Sequence, residues 1–419
     1  MRLRSTPGLR EQTLLLCLMI AAAQMTWGSI VPVLPLYLER YGLAVGALGP
    51  ILAAFAVGRA LVNTPAGLAL RWLQPRRYLW AVAACLVVVT ALTGLATTTT
   101  SIMAMRFIAG VFGGAVVTIA FSVLVTAAPA DRRGATVAMS MMAMTGAVAA
   151  GALLGAVVVE LFGLRASFVA AAGPLVIVLA WEALRPAARF WDAYRPPAPQ
   201  PHVQASGSAP PEPAGPADPV GSRRRLLGAL CGVSFATFFV RFAGEQGLVP
   251  VMAYDGADMR PLTLSAAIAV GTVASLALAP VLGRVVDRGV RRPVLVLSGV
   301  AAAAGVAALP LLAEAWLFSL ALVVYFAATT SLNVVPSVIA GERWGPAESG
   351  AVIGLTRTVG DIGAAAGPLV IFWLVEQTSW LAACLLMAGL LVGTVLHLAR
   401  VAPRDVVREV REHAEPRDH

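Results

Sequence analysis

The sequence predicts an all-α membrane protein whose twelve transmembrane helices form two pseudo-symmetric six-helix bundles. Three observations carry that reading. Of 419 residues 58% are hydrophobic and only 13% charged, the apolar residues fall into twelve long runs, and landmarks of the first six runs recur in the last six. A mean hydropathy of +0.80 lies outside the range of a water-soluble domain. A helix crosses a hydrocarbon core of about 30 Å with about 20 apolar residues. Runs of that length cover Thr13–Leu38, Val45–Ala69, Tyr78–Ala96, Ser101–Ala127, Ala135–Phe162 and Ala166–Leu184, then Leu226–Tyr254, Leu262–Gly283, Pro293–Ala313, Trp316–Ile339, Gly350–Val375 and Trp380–Ala399. Helices satisfy their own backbone groups in lipid, whereas transmembrane strands need much shorter, alternating segments.

Arg2, Arg4 and Arg10 precede the first run as in a signal peptide. Apolar sequence continues to Leu38, too far for a cleaved segment, so an uncleaved and unbroken first span is expected. The net charge of +9 comes from 31 basic residues, every one an arginine. Alternate loops, counted from the N-terminus, hold 24 of them, the opposite loops hold Arg40, Arg165 and Arg260, and four lie inside spans. That asymmetry predicts cytoplasmic termini in a cell membrane. Basicity therefore encodes orientation and contact with lipid, and no nucleic-acid partner is expected. Cys17, Cys85, Cys231 and Cys384 all fall within spans, without metal-site or disulfide spacing, and read as small core residues. No metal or cofactor is expected, and the absence of a nucleophile–base constellation or a phosphate-cradling loop argues against an enzyme or an ATP-driven pump.

Ten prolines between Pro186 and Pro219 mark a flexible linker over 186–225. It separates bundles at 1–185 and 226–400, and 401–419 forms a tail. Gly67 and Gly283 stand 216 residues apart, as do Gly134 and Gly350, and Val31-Pro32-Val33 returns as Val249-Pro250-Val251 after 218. With an even number of spans per half, these are parallel repeats about an axis along the membrane normal.

Gly283-x-x-x-Asp287-Arg288-x-x-Arg291-Arg292 resembles the loop signature of the major facilitator superfamily. The matching stretch of the first half runs from Gly67 to Arg76 and Arg77, with Arg71 where the family has an acid. Arg106-x-x-x-Gly110-x-x-x-Gly114 resembles a second family motif, and Gly363-x-x-x-Gly367-Pro368 a glycine–proline motif that the family's antiporters carry in the fifth span. Here the fifth span has Gly151-x-x-x-Gly155-Ala156. The resemblance covers the whole chain and is nearest to drug or metabolite:proton antiporters. It implies the major facilitator fold, alternating access to a midplane site, a small-molecule substrate, no cofactor and a monomer. It also implies that Arg106 assists proton movement. Gly67, Gly283, Asp287, Arg288, Arg291 and Arg292 then form a cytoplasmic gate, in which Asp287 pairs with arginines or faces a helix N-terminus. Gly151, Gly155, Gly363 and Gly367 serve close helix packing, and Pro368 a kink.

Ionisable side chains deep in a membrane cost at least ~2.5 kcal/mol each, so they mark functional interiors. Six stand out: Arg59, Arg106, Arg241, Glu245, Arg357 and Asp361. Arg241 and Glu245 are one helical turn apart, as are Arg357 and Asp361, so each acid is expected to reach its neighbouring arginine. Either the pairs neutralise themselves, or Glu245 or Asp361 exchanges a proton as the cavity alternates between wet and dry. Arg59, near Asn63, reads as a contact for an anionic substrate group or as a helix lock. Gln24, Trp27, Gln246, Tyr325, Phe326 and Asn333 are candidates to line the cavity, while Glu160 and Glu376 lie near span ends and receive no role. The expected function is proton-coupled export of a drug-like compound or metabolite. The alternatives are uptake of a small organic acid or sugar by proton symport, and a receptor or assembly factor that keeps the fold without transport.

Overall fold

In the computed structural model every regular element among the described residues (9–128, 133–184, 191, 220–344 and 346–402) is helical. The first half contains α1 (Leu9–Gly28), α2 (Leu34–Arg40), α3 (Leu48–Ala69), α4 (Pro75–Leu92), α5 (Thr99–Ala127), α6 (Arg133–Phe162) and α7 (Leu164–Leu184). The second contains α8 (Val220–Val240), a π-helical segment (Arg241–Leu248), α9 (Val249–Asp255), α10 (Pro261–Asp287), α11 (Arg291–Ala308), α12 (Ala315–Arg343), α13 (Pro346–Gln377) and α14 (Trp380–Val401). Eleven stretches of the described residues are long and apolar enough to cross a membrane.

The remaining expected span, Thr13–Leu38, is not one unbroken helix: it divides at Gly28 into α1 and α2. Pro32 and Pro35 lack amide hydrogens, so an α-helical ladder cannot run through them intact. The chain crosses the gap in overlapping turns, with the amides of Ile30 and Val31 both donating to the Trp27 carbonyl at 3.1 and 3.3 Å. In the second half Pro250 stands at the matching point, and there the helix widens into the π-segment before α9 instead of breaking. The same proline therefore disturbs the first helix of each repeat in two different ways. The eighth element also begins earlier than expected, at Val220 and inside the anticipated linker, most of which, like the tail beyond residue 402, lies outside the described residues.

Helix ends follow local chemistry. Pro75 and Pro261 open α4 and α10, where a missing amide hydrogen costs nothing. A reciprocal Thr98–Ser101 box caps α5, and Ser379 accepts from the Ala382 amide at the start of α14. The tight turns from α6 to α7 and from α10 to α11 pass through Gly163 and Gly289 at φ of 84° and 88°, which favours glycine.

The duplication is legible in the packing. In the first half α3 packs on α5, α1 on α6, α4 on both α5 and α7, and α1 on α7. The second half repeats this with α10 on α12, α8 on α13, α11 on both α12 and α14, and α8 on α14. The expected glycines make the closest of these crossings. A Cβ at Gly151 would lie 2.7 Å from the Met25 carbonyl oxygen, and one at Gly155 would overlap the Ser29 carbonyl. In the second half, Gly363 presses likewise on Phe235, and a Cβ at Gly367 would meet the Phe239 carbonyl at 2.6 Å. Since lipid supplies no hydrophobic drive between helices, such backbone approach is where dispersion contact is gained. Helix α13 continues through Pro368 without a break. Each half has its own apolar core, and Phe242, Val251, Ala364 and Phe372 of the second half join the core of the first along a seam. Across that seam α3 meets α13 and α6 meets α10, two crossings that the repeat makes equivalent. Cys17 and Cys384 are buried as expected, whereas Cys85 is exposed on the outside of the first bundle.

Candidate functional site

The seam is densest at the end of the bundle where loops are poor in arginine. There the Tyr254 hydroxyl donates to the Pro32 carbonyl at 2.6 Å. Glu160 accepts from the Leu262 amide at 3.4 Å. The carboxylate of Glu376 fills the space beside Gly46, and Gly49 lies against Pro368 and Phe372. Both glutamates set aside in the sequence reading thus belong to the contact between halves.

One layer deeper, Trp27 stacks on Phe55 with centroids 4.0 Å apart, and Phe242 comes across the seam to 6.0 Å from Trp27. The Arg59 guanidinium lies over the Phe242 ring at 5.0 Å. Trp27 and Gln246 are buried, and the indole Nε1 and the amide Oε1 have no hydrogen-bond partner. Gln24 is half-buried on α1.

Next comes the ionic contact. Arg59 of α3 donates to Asp361 of α13 at 2.7 Å, with side chains 23% and 10% exposed. Asn63, one turn along α3, donates to the other Asp361 oxygen at 3.4 Å and accepts from Thr118 at 3.1 Å. The expected Arg357–Asp361 pair does not form. Asp361 faces α3, where Arg59 and Asn63 both offer donors, while Arg357 is exposed and makes no ion pair among the described residues. A partner 302 residues away in sequence cannot be read from helical spacing. Beyond Asn63, toward the arginine-rich end, no further hydrogen bond joins the halves among the described residues, and Asn333 is exposed.

The second motif proves to be a support for this layer. Gly110 lets α5 press on the backbone of Phe55, and a Cβ at Gly114 would come 3.0 Å from the Arg59 side chain. Arg106 itself is 1% exposed, and its guanidinium donates to the Thr93 hydroxyl at 3.3 Å. No acid approaches it, and its Nε is unpartnered.

Glu245 is placed differently from Asp361. Its expected contact with Arg241 is present at 3.6 Å, and the Tyr325 hydroxyl donates to it at 3.1 Å. Both partners belong to the second half. Tyr325 is buried in that bundle beside Phe326, so neither it nor Glu245 lines the seam.

The expected gate residues do not gather into one cluster. Gly67 and Gly283 meet open space, Arg288 is exposed, and Arg291 reaches the Val286 carbonyl at 3.4 Å. Arg292 donates to the Ala402 carbonyl at the end of α14. The side chain of Asp287 lies outside what is described. Sequence reasoning missed Glu182, buried at the end of α7, which accepts from Arg76 at 2.8 Å and also from the Trp80 indole. A signal existed. Arg76 and Arg292 are repeat mates 216 residues apart, each tying the third helix of its half to the sixth, and an acid inside the sixth span was there to be matched with an arginine.

Comparison with known proteins agrees with this architecture. A chloramphenicol resistance protein of Streptomyces lividans is 30% identical over 389 residues, covering 88% of this chain and 92% of that protein. Among solved structures, the nucleoside transporter NupG superposes with a TM-score of 0.68 at 14% identity, covering 93% of this chain and 98% of its own. A POT family transporter in complex with 5-aminolevulinic acid gives 0.71 at 12%, covering 94% and 96%. The human organic anion transporter MFSD10 gives 0.63 at 19%, covering 94% and 100%. The family model of the Major Facilitator Superfamily matches residues 16–240 and again 230–418. With that double match over two equivalent bundles, the chain belongs to the Major Facilitator Superfamily and is a multi-pass membrane transporter.

Proposed function

We propose that this transporter exports small drug-like or metabolite compounds from the cytoplasm across the cell membrane, driven by protons moving the other way. The observation that carries the reading is the Arg59–Asp361 ion pair, which joins the two halves through the one acid at the seam's midplane. A proton on Asp361 cancels its charge and releases Arg59, so proton binding acts directly on the contact that must open in alternating access. The arginine-rich loops place the less closed end in the cytoplasm. A solute entering there meets Arg59, Asn63 and the Trp27–Phe55–Phe242 cluster, which suits an aromatic compound with polar substituents. The S. lividans relative, named for chloramphenicol resistance, supports that class and the outward direction.

The test is uptake of labelled chloramphenicol and a panel of aromatic antibiotics into inside-out vesicles or proteoliposomes with an imposed pH gradient. Accumulation should follow the gradient in the parent and vanish in Asp361→Asn. Flux that ignores the gradient and survives that substitution would make the protein a passive facilitator. Gradient-driven accumulation in the opposite direction would make it an importer.

A further inference from the structure

We infer that Glu245, Tyr325 and the cavity between them form a second proton-binding site, inside the second bundle and off the solute route. The inference deepens the proton-coupled reading and rests on it. It begins with the backbone: Glu245 sits in the π-helical segment ahead of Pro250, a widened turn of the kind that gathers at functional positions. The cavity beside it is lined by Gly244, Glu245, Val249, Met252, Val306, Leu309, Tyr325, Cys384 and Met387, drawn from the π-segment, α9, α11, α12, α14 and the 3₁₀ turn after α11. None of these is a first-half residue. Its volume of about 10 Å³ is room for about one water on the scale where a single water needs about 10–15 Å³.

The charged and titratable groups around the carboxylate are few. On its own segment Arg241 stands at 3.6 Å, beyond hydrogen-bond reach, and the Arg241 Nε is otherwise unpartnered. From α12 comes the Tyr325 hydroxyl, from α14 the Cys384 thiol, and from α11 only Val306 and Leu309. On the seam side, α3 and α13 bring Arg59 and Asp361, which are occupied with each other. Glu245 thus has one hydroxyl donor and one loosely held cation, and burial makes an unpaired carboxylate costly. A water in the cavity completes the exchange. An incoming hydronium gives its proton to a Glu245 oxygen, an O–H bond forms there as one breaks on the hydronium, and neutral water remains. Tyr325 keeps its own proton and turns from donor to acceptor. The reverse step returns the proton to water. Two carboxylates then divide the work: Asp361 governs the seam, and Glu245 holds a proton out of the solute's way.

The experiment is infrared difference spectroscopy of the full chain in lipid nanodiscs during a pH titration, in H₂O and D₂O. A protonated-carboxyl band should rise as pH falls, be lost in Glu245→Gln and persist in Asp361→Asn. In Tyr325→Phe, which keeps the carboxyl, its midpoint and frequency should both shift. A band that survives Glu245→Gln, or is indifferent to Tyr325→Phe, overturns the inference and leaves Glu245 a permanent ionic partner of Arg241. Because the readout needs no solute, it is independent of the flux assay: passive flux beside a Glu245 band refutes proton coupling alone.

Discussion

Replacing Asp361 with asparagine removes one member of an ion pair while keeping its shape, and its effect on the seam can be estimated from the structure. At an effective dielectric constant of about 20, unit charges about 4 Å apart attract by about 4 kcal/mol. Breaking a fully buried pair by deleting one partner costs about 3–5 kcal/mol. Arg59 keeps its position over the Phe242 ring at 5.0 Å and is 23% exposed, so part of that cost is recovered through the ring and through water. About 2–3 kcal/mol is a reasonable remainder, and at about 1.4 kcal/mol per factor of ten it displaces the equilibrium roughly 30- to 150-fold away from the closed seam. The measurement is pulsed electron–electron distance spectroscopy between spin labels at Ala44 and Thr378, exposed positions flanking the seam at its arginine-poor end, with the four native cysteines replaced. Asp361→Asn should move the distribution toward longer distances at neutral pH, and acid should do the same to the parent. Because Arg59→Gln with Asp361→Asn leaves no orphaned charge, the double variant should move less than Asp361→Asn alone. A distribution that ignores both acid and Asp361→Asn would refute the idea that this pair holds the halves together.

Three further outcomes follow from the same contacts. Tyr254→Phe deletes the hydroxyl that donates to the Pro32 carbonyl at 2.6 Å, worth about 1 kcal/mol, so the same labels should show a roughly fivefold shift toward separation. Gly155→Ala drives a methyl into the Ser29 carbonyl and should lower the detergent melting temperature by several degrees. Gly173→Ala, with nothing within 4 Å, should leave it unchanged. Glu182→Gln weakens charge-assisted bonds to Arg76 and Trp80, each worth about 1.5–3 kcal/mol when fully buried and less here because Arg76 is 37% exposed. It should destabilise the first bundle in thermal unfolding while leaving the inter-label distance alone.

The division between what was readable in the sequence and what was not follows the range of the interactions. Span positions, the duplication and the packing glycines are local or periodic signals, and Gly151, Gly155, Gly363 and Gly367 stand at helix crossings as their spacing implied. The contact of Arg241 with Glu245 is also local, one turn along a helix, and it is present. Asp361 shows the limit: two arginines were possible partners, and the choice fell to the helix facing it across the seam. Tyr325 could be placed on the right helix but not on the right face, since the side turned toward its own bundle is as apolar as the side turned toward the seam. The break at Gly28 was missed because hydropathy is blind to prolines, and the same sequence triplet yields a gap in one half and a π-segment in the other.

The pseudo-twofold makes the crossings α3–α13 and α6–α10 geometric equivalents, yet their chemistry is unequal. Arg59, Asn63 and Asp361 occupy the first, whereas residues 135–159 of α6 and 262–283 of α10 contain no ionisable side chain. Where those two helices meet, the contact is apolar, as between Gly146 and Leu276 at 3.9 Å. An apolar crossing of small residues can slide or rotate with little change in energy, because dispersion contacts are replaced nearly in kind. An ionic crossing cannot, since separating its partners in a low-dielectric interior requires water or a proton to compensate the charges. Rocking of the halves is therefore expected to pivot on α6–α10 and to be held or released at α3–α13. Moving the pair to the other crossing would rebuild the same interface by symmetry but place the ionic contact away from Arg106, Gly110 and Gly114, whose helix backs Phe55 and Arg59 only on the α3 side. The repeat supplied two hinges, and the charges confine control to one of them.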